Sequence, residues 1–209
     1  DKVGAQADSM NIFTLNNVLW GMARVGLTLD SPALSGETSR RLWQRTVAVF
    51  STFLRRHYGD VMWALGHLGF RFDGPESRSW VTQGDKERIM AVLTRVFVNL
   101  DTREAAYTLS GLGRMGVRWD TDMSVGAPVG AVSGEKKGQS VSPMAKTVAL
   151  YLKRQQFREH DYAVLLHSLG TLGVRFHDNL STGIVVKLSR AAPFVSSHFT
   201  SRSLATALD

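Results

Sequence analysis

The sequence predicts an all-α fold: an α-solenoid of about four and a half antiparallel helix pairs in a right-handed superhelical stack. Three observations predict it. A twelve-residue phrase recurs four times. Each recurrence carries apolar residues at helical spacing and then a glycine. A second amphipathic segment separates each phrase from the next. The phrases are Leu19-Trp-Gly-Met-Ala-Arg-Val-Gly-Leu-Thr-Leu-Asp30, Met62-Trp-Ala-Leu-Gly-His-Leu-Gly-Phe-Arg-Phe-Asp73, Leu109-Ser-Gly-Leu-Gly-Arg-Met-Gly-Val-Arg-Trp-Asp120 and Leu166-His-Ser-Leu-Gly-Thr-Leu-Gly-Val-Arg-Phe-His177. Their last glycines, Gly26, Gly69, Gly116 and Gly173, are 43, 47 and 57 residues apart, and a fifth phrase begins at Ser203.

Each phrase reads as the end of a first, or A, helix. Seven, four and one residues before the glycine stand Leu19, Met22 and Val25, then Met62, Leu65 and Leu68, then Leu109, Leu112 and Met115, then Leu166, Leu169 and Leu172. That spacing draws one apolar stripe along a helix. Three residues before the glycine are Ala23, Gly66, Gly113 and Gly170, small enough to let a neighbouring helix come close. The glycine suits a left-handed C′ position, and the apolar residue after it (Leu27, Phe70, Val117, Val174) suits the contact that closes a Schellman motif. The next apolar residue (Leu29, Phe72, Trp119, Phe176) is placed to plug the seam between repeats.

Second, or B, helices fill the intervals. The whole chain, 1–209, reads as one array, with A helices at about 12–25, 57–68, 102–115, 159–172 and 200–209. B helices fall at about 37–55, 85–100, 143–157 and 180–195. Ser142-Pro143 reads as N-cap plus first helical residue, and Asp101 with Glu104 as a capping box. One pair cannot bury its apolar face alone, whereas stacked pairs can. The Gly-, Ser- and Val-rich stretch 121–142, with Lys136-Lys137, reads as a flexible insertion loop or an arm ordered by a partner.

Composition narrows the partners. The chain has 209 residues, a hydrophobic fraction of 44% and no cysteine, which excludes a disordered chain, a disulfide scaffold, a thiol nucleophile and Cys-ligated metal. No apolar run is long enough to span a bilayer, so no membrane insertion is expected. A start at Asp1 rather than Met, and a stop inside a helical pattern, suggest a fragment. The net charge is +7 and mostly arginine, 18 against 7 lysines. Arginine's planar fork suits phosphate and stacks on bases, so nucleic acid leads the partner classes; a merely solvated basic surface is the alternative.

The A-helix phrases, best seen in Met62-Trp-Ala-Leu-Gly-His-Leu-Gly69 and Leu109-Ser-Gly-Leu-Gly-Arg-Met-Gly116, resemble the organellar octotricopeptide and heptatricopeptide helical repeats. The resemblance covers nearly the whole chain. It implies RNA association, a mitochondrial (or else plastid) address, and a place in a ribonucleoprotein such as the mitochondrial ribosome. The nuclease-like domain that sometimes follows such repeats is not visible.

RNA would meet the helix face opposite the core. Counting back nine, six and two residues from each glycine gives Asn17, Trp20, Arg24; Asp60, Trp63, His67; Tyr107, Ser110, Arg114; and Val164, His167, Thr171. These positions differ between repeats, as a surface facing different bases would, and offer amides, hydroxyls, stacking rings and arginines. The competing expectation is that Trp20 and Trp63 are inter-repeat core. Arg71, Arg118 and Arg175 recur just past the glycine; with Arg55-Arg56, Lys153-Arg154 and Arg158 they form a phosphate ladder, or else pair locally, as Arg71 with Asp73.

Enzymatic motifs fail on context. Gly111-Leu-Gly-Arg-Met-Gly116 matches a dinucleotide fingerprint, but it closes a helix instead of opening one after a strand. Phosphate loops, zinc-protease pairs and nucleophile elbows are absent from the sequence, and His160-Asp161 lacks metal-ligand spacing. The expectation is a non-enzymatic protein without cofactor that binds RNA and neighbouring proteins of a ribonucleoprotein complex. A protein–protein scaffold is the alternative, to be recognised by Trp20, Trp63 and Val164 exposed together.

Overall fold

A computed structural model describes residues 2–73, 80–123, 142–155, 159–175 and 180–196, and these are helical with connecting turns and contain no strand. The helices are α1 (Lys2–Gln6), α2 (Ile12–Arg24), α3 (Gly36–Val49), α4 (Tyr58–Leu68), α5 (Gln83–Val96), α6 (Thr102–Arg114), α7 (Pro143–Arg154), α8 (Glu159–Thr171) and α9 (Thr182–Ser196). Side chains set several starts by accepting an otherwise orphaned N–H. Asn11 accepts from Thr14, Ser35 from Thr38, Asp101 from Glu104 and Ser142 from Ala145. A full capping box closes the start of α5, between Thr82 and Asp85.

The A helices pack side by side in sequence order, α2 on α4, α4 on α6 and α6 on α8, and α3, α5, α7 and α9 pack in a second series. Between the helices lies one continuous core, from Leu15 and Leu19 through Trp43, Leu65 and Leu112 to Leu169 and Leu188. Among the described residues the only positive φ angles belong to Gly26, Gly69, Gly116 and Gly173, at 76°, 90°, 86° and 76°. There the residue after the glycine donates back into the helix, Leu27 to the Met22 carbonyl, Phe70 to Leu65, Val117 to Leu112 and Val174 to Leu169, at 3.0–3.1 Å. This is the Schellman closure.

Each turn also ties its helix to the next. The N–H three residues past the glycine donates to the carbonyl one residue before the following glycine: Leu29 to Leu68 at 2.8 Å, Phe72 to Met115 at 2.9 Å, and Trp119 to Leu172 at 2.7 Å. Small residues let the A helices approach. A Cβ on Gly111 would stand 2.1 Å from the Met62 carbonyl oxygen, and one on Gly66 would stand 3.0 Å from that of Gly111. The glycines of the dinucleotide-like phrase therefore serve helix packing.

Several expectations need correction. Val25 is 75% exposed, whereas its equivalents Leu68, Met115 and Leu172 are fully buried; Met22 and Leu166 are only half-buried. The reason is the tie just described: the earlier repeat's turn covers that position, and no described segment offers such a turn to Val25. The B helices are shorter than their apolar patterns. α3 and α5 end at Val49 and Val96 and pass into 3₁₀ turns, Phe50–Thr52 and Phe97–Asn99, that drive Phe50 and Phe97 into the core. The Asp101–Glu104 box is half made: Asp101 accepts from the Glu104 N–H, but the Glu104 carboxylate reaches across to the Gly59 N–H of α4. The 121–142 stretch starts as a π-helical turn, Trp119–Met123, and ends in the Ser142 cap. The rest of that stretch (124–141), Arg158, Phe176 and the expected helix at 200–209 lie outside the described residues. The sequence did not signal α1.

Candidate nucleic-acid interface

The stripe opposite the core brings three aromatic side chains from three helices together. Trp20 of α2 meets Trp63 of α4 with ring centroids 4.6 Å apart, and Tyr107 of α6 lies 6.3 Å from Trp20 and 6.2 Å from Trp63. The His67 ring stacks on Trp63 at 3.7 Å. All four rings are half-buried, so each packs laterally while keeping part of its surface open. Of the two expectations for Trp20 and Trp63, buried core or open platform, the rings thus realise something of each.

Arginines border this band. The guanidinium of Arg24 stands 6.0 Å from the Trp20 ring and that of Arg103 5.2 Å from Tyr107, both within cation–π range. Arg114 is exposed and sets its Cβ against Gly66. Arg103 was not singled out in the sequence. The available signal was its place one helical turn before Tyr107, where i and i+4 side chains meet.

Electrostatics disfavour the charged form of His67, in the band, and of His167 beyond it. The His67 Nδ1 lies 2.8 Å from the Trp63 carbonyl oxygen, which can only accept; Nδ1 therefore carries the proton, and Nε2 is an acceptor in the neutral ring. Burial, and then the charge of Arg114, push the His67 pKa below its ordinary value against that hydrogen bond. Burial and Arg114 act on His167 in the same direction. Asp60 moves the other way: burial raises its carboxyl, opposed by Arg103 and His57.

Other stripe positions divide. Asn17 is exposed and free for a ligand. Ser110 is buried at 5% exposure, which takes it off the surface, because α6 turns that position towards its neighbours. Thr171 spends its hydroxyl on the His167 carbonyl and would touch a Cβ on Gly113, while Val164 and His167 are half-buried.

The residues past the glycine are mostly engaged. Arg71 makes a two-pronged pair with Asp73 at 2.9 Å, the local alternative to a phosphate ladder. Arg118 donates to the Thr171 carbonyl at 3.0 Å, which binds one turn to the next A helix. Arg175 is exposed. Arg55 donates to the Asn99 carbonyl, and beside it a hollow of about 440 Å³ is lined by Arg55, Arg56, Asp101 and Glu104. That hollow belongs to the N-terminal ends of the A helices, away from the aromatic band.

Chemically, the band can stack planar groups, attract anions along its rim and accept one hydrogen bond at His67. Among the described residues there is no cluster of three or more His, Asp or Glu side chains arranged to hold a metal ion, and no helix long and apolar enough to cross a membrane. Compared with protein-family models, with curated proteins and with solved structures, the chain has no match.

Proposed function

We propose that this chain is a non-enzymatic RNA-binding α-solenoid, built from about four and a half helix pairs in a right-handed stack, that works within an organellar ribonucleoprotein such as the mitochondrial ribosome. The observation that carries the proposal is the half-open band of Trp20, Trp63, His67 and Tyr107 bordered by Arg24, Arg103 and Arg114. Bases stack on such rings with little sequence preference, and arginines at the rim meet the phosphates between them. A rigid scaffold that presents these groups in fixed register loses little freedom on binding. The sequence resemblance points to the same partner and to a mitochondrial address, with a plastid as the alternative.

The competing protein–protein scaffold calls for Trp20, Trp63 and Val164 exposed together as one apolar stripe. All three are half-buried, and two rim arginines lie over the aromatic rings. That interleaving of charge and ring favours a polyanion.

The test is fluorescence anisotropy of a labelled single-stranded RNA across a salt series. Wild-type affinity should fall steeply with salt, and replacing Arg24, Arg103 and Arg114 by Ala should reduce the log–log slope by about two. Replacing Arg71 and Arg118 should change it less, since both already have partners. Equal binding of the triple variant and the wild type at every ionic strength overturns the assignment of this surface.

A further inference from the structure

We infer that the α4–α6 part of the aromatic band is a guanine-selective subsite, in which Asp60 of α4 and Arg103 of α6 read adjacent edges of one unpaired base. The inference rests on the RNA reading above and narrows it to one ligand chemistry. Asp60 stands one helical turn before Trp63, and Arg103 one turn before Tyr107. The two rings are 6.2 Å apart across the seam, so a carboxylate and a guanidinium flank them at the same end. The two charges act on one another, yet no ion pair joins them among the described residues. Asp60 is half-buried and takes no hydrogen bond there, while Arg103 is exposed, with its guanidinium 5.2 Å from the Tyr107 ring.

For a phosphate contact Asp60 is out of place. Arginines border the rest of the band, and a carboxylate among them repels a phosphate backbone. The other A helices put Asn17, Tyr107 and Val164 at this repeat position, so the acid is particular to α4. Nor does Asp60 serve the start of its own helix: the Gly59 N–H is taken by the Glu104 carboxylate from α6. A carboxylate partly withdrawn from water, with both oxygens unspent, is an acceptor pair open to two donors.

Base chemistry then selects the ligand. A carboxylate accepts two parallel hydrogen bonds, and a guanidinium fork donates two. Side by side they present two acceptors followed by two donors. Guanine complements that row: its N1–H and N2 amine donate, and the neighbouring O6 and N7 accept. Adenine, cytosine and uracil each bring a single donor group, beside an acceptor that would face the carboxylate. A base laid against the open surfaces of Trp63 and Tyr107 can turn its edge to this pair, and only an unpaired base leaves its Watson–Crick edge free to do so.

The test is competition anisotropy of the full chain with short uridine oligomers, each carrying one central guanosine, inosine, 7-deazaguanosine, adenosine or cytidine. The guanosine oligomer should bind about tenfold more tightly than its adenosine, cytidine or all-uridine counterparts. Inosine lacks the N2 amine and 7-deazaguanosine lacks the N7 acceptor, so each should forfeit part of that gain. Asp60→Ala should bind the guanosine and inosine oligomers alike while still separating guanosine from 7-deazaguanosine. Circular dichroism is expected to show unchanged helicity in this variant, and the two base analogues test the wild type independently of it. Equal binding of all the oligomers overturns the subsite and leaves the RNA reading standing, whereas binding of none overturns both. A wild type that prefers another base, or an Asp60→Ala protein that separates guanosine from inosine as the wild type does, also overturns the inference.

Discussion

Glu104→Gln should make the protein more stable at neutral and alkaline pH and leave it unchanged in acid. Glu104 is 8% exposed at the α4–α6 contact, where its carboxylate accepts the Gly59 N–H at 2.9 Å. Burial raises its pKa from 4.5 to about 7, the Gly59 hydrogen bond opposes that, Asp60 and Asp101 push it further up, and Arg103 pulls it back. In the unfolded chain the carboxyl releases its proton near 4.5, but in the folded protein it holds the proton until about 7. The native state thus binds more protons in that window, and stability falls as pH rises through it. The stability that Glu104 withdraws amounts to about 3 kcal/mol at most; the loss is absent below pH 4.5 and complete above about 7. Glutamine copies the protonated acid: it is neutral, and its carbonyl still accepts from Gly59. Urea unfolding of both proteins at a series of pH values measures the gap. Burial lowers the pKa of His57, His67 and His167, so these histidines withdraw stability as pH falls through their ordinary value near 6.5, equally in both proteins. They cancel in the difference. A gap that does not change with pH, or a Gln variant less stable at alkaline pH, would refute the reasoning.

Two further perturbations separate seam from surface. Gly111→Ala places a Cβ 2.1 Å from the Met62 carbonyl oxygen and should cost about 3 kcal/mol or more in urea unfolding. Gly21→Ala, at the same repeat position in α2, meets nothing within 4 Å and should stabilise by about 0.5–1 kcal/mol through reduced chain entropy. Arg71→Ala, which removes only an exposed pair with Asp73, should shift unfolding by less than about 1 kcal/mol.

What the sequence made legible is what depends on local geometry. A left-handed turn demands glycine whatever surrounds it, so Gly26, Gly69, Gly116 and Gly173 announced the four helix ends. The 3–4 spacing of Met62, Leu65 and Leu68, and of Leu109, Leu112 and Met115, likewise marked the buried stripe, because a helix fixes which side chains share a face. Legibility stopped where a residue's fate depends on a neighbour far along the chain. Glu104 stands at capping-box spacing from Asp101, and nothing local tells it to reach for Gly59 instead. The Gly59 N–H is one of the orphaned donors in the first turn of α4, and the missing side chain there lets the α6 backbone come within contact distance. The aromatic band was half legible for the same reason. Trp20 and Trp63 occupy one repeat position and Tyr107 another, so their meeting depends on the offset between successive helices, which no single repeat encodes.

Val25 shows the limit most sharply. By pattern it is a core residue, the equal of Leu68, Met115 and Leu172, and its own helix gives it the same direction. Among the described residues it lacks one neighbour that the other three have: the turn that donates an N–H to the equivalent carbonyl and lays an apolar side chain beside it. In a stack whose units bury only what the next unit covers, burial is a property of the seam and not of the residue. An apolar side chain that repeats in phase can therefore stand open to water in one repeat and be fully buried in the next three.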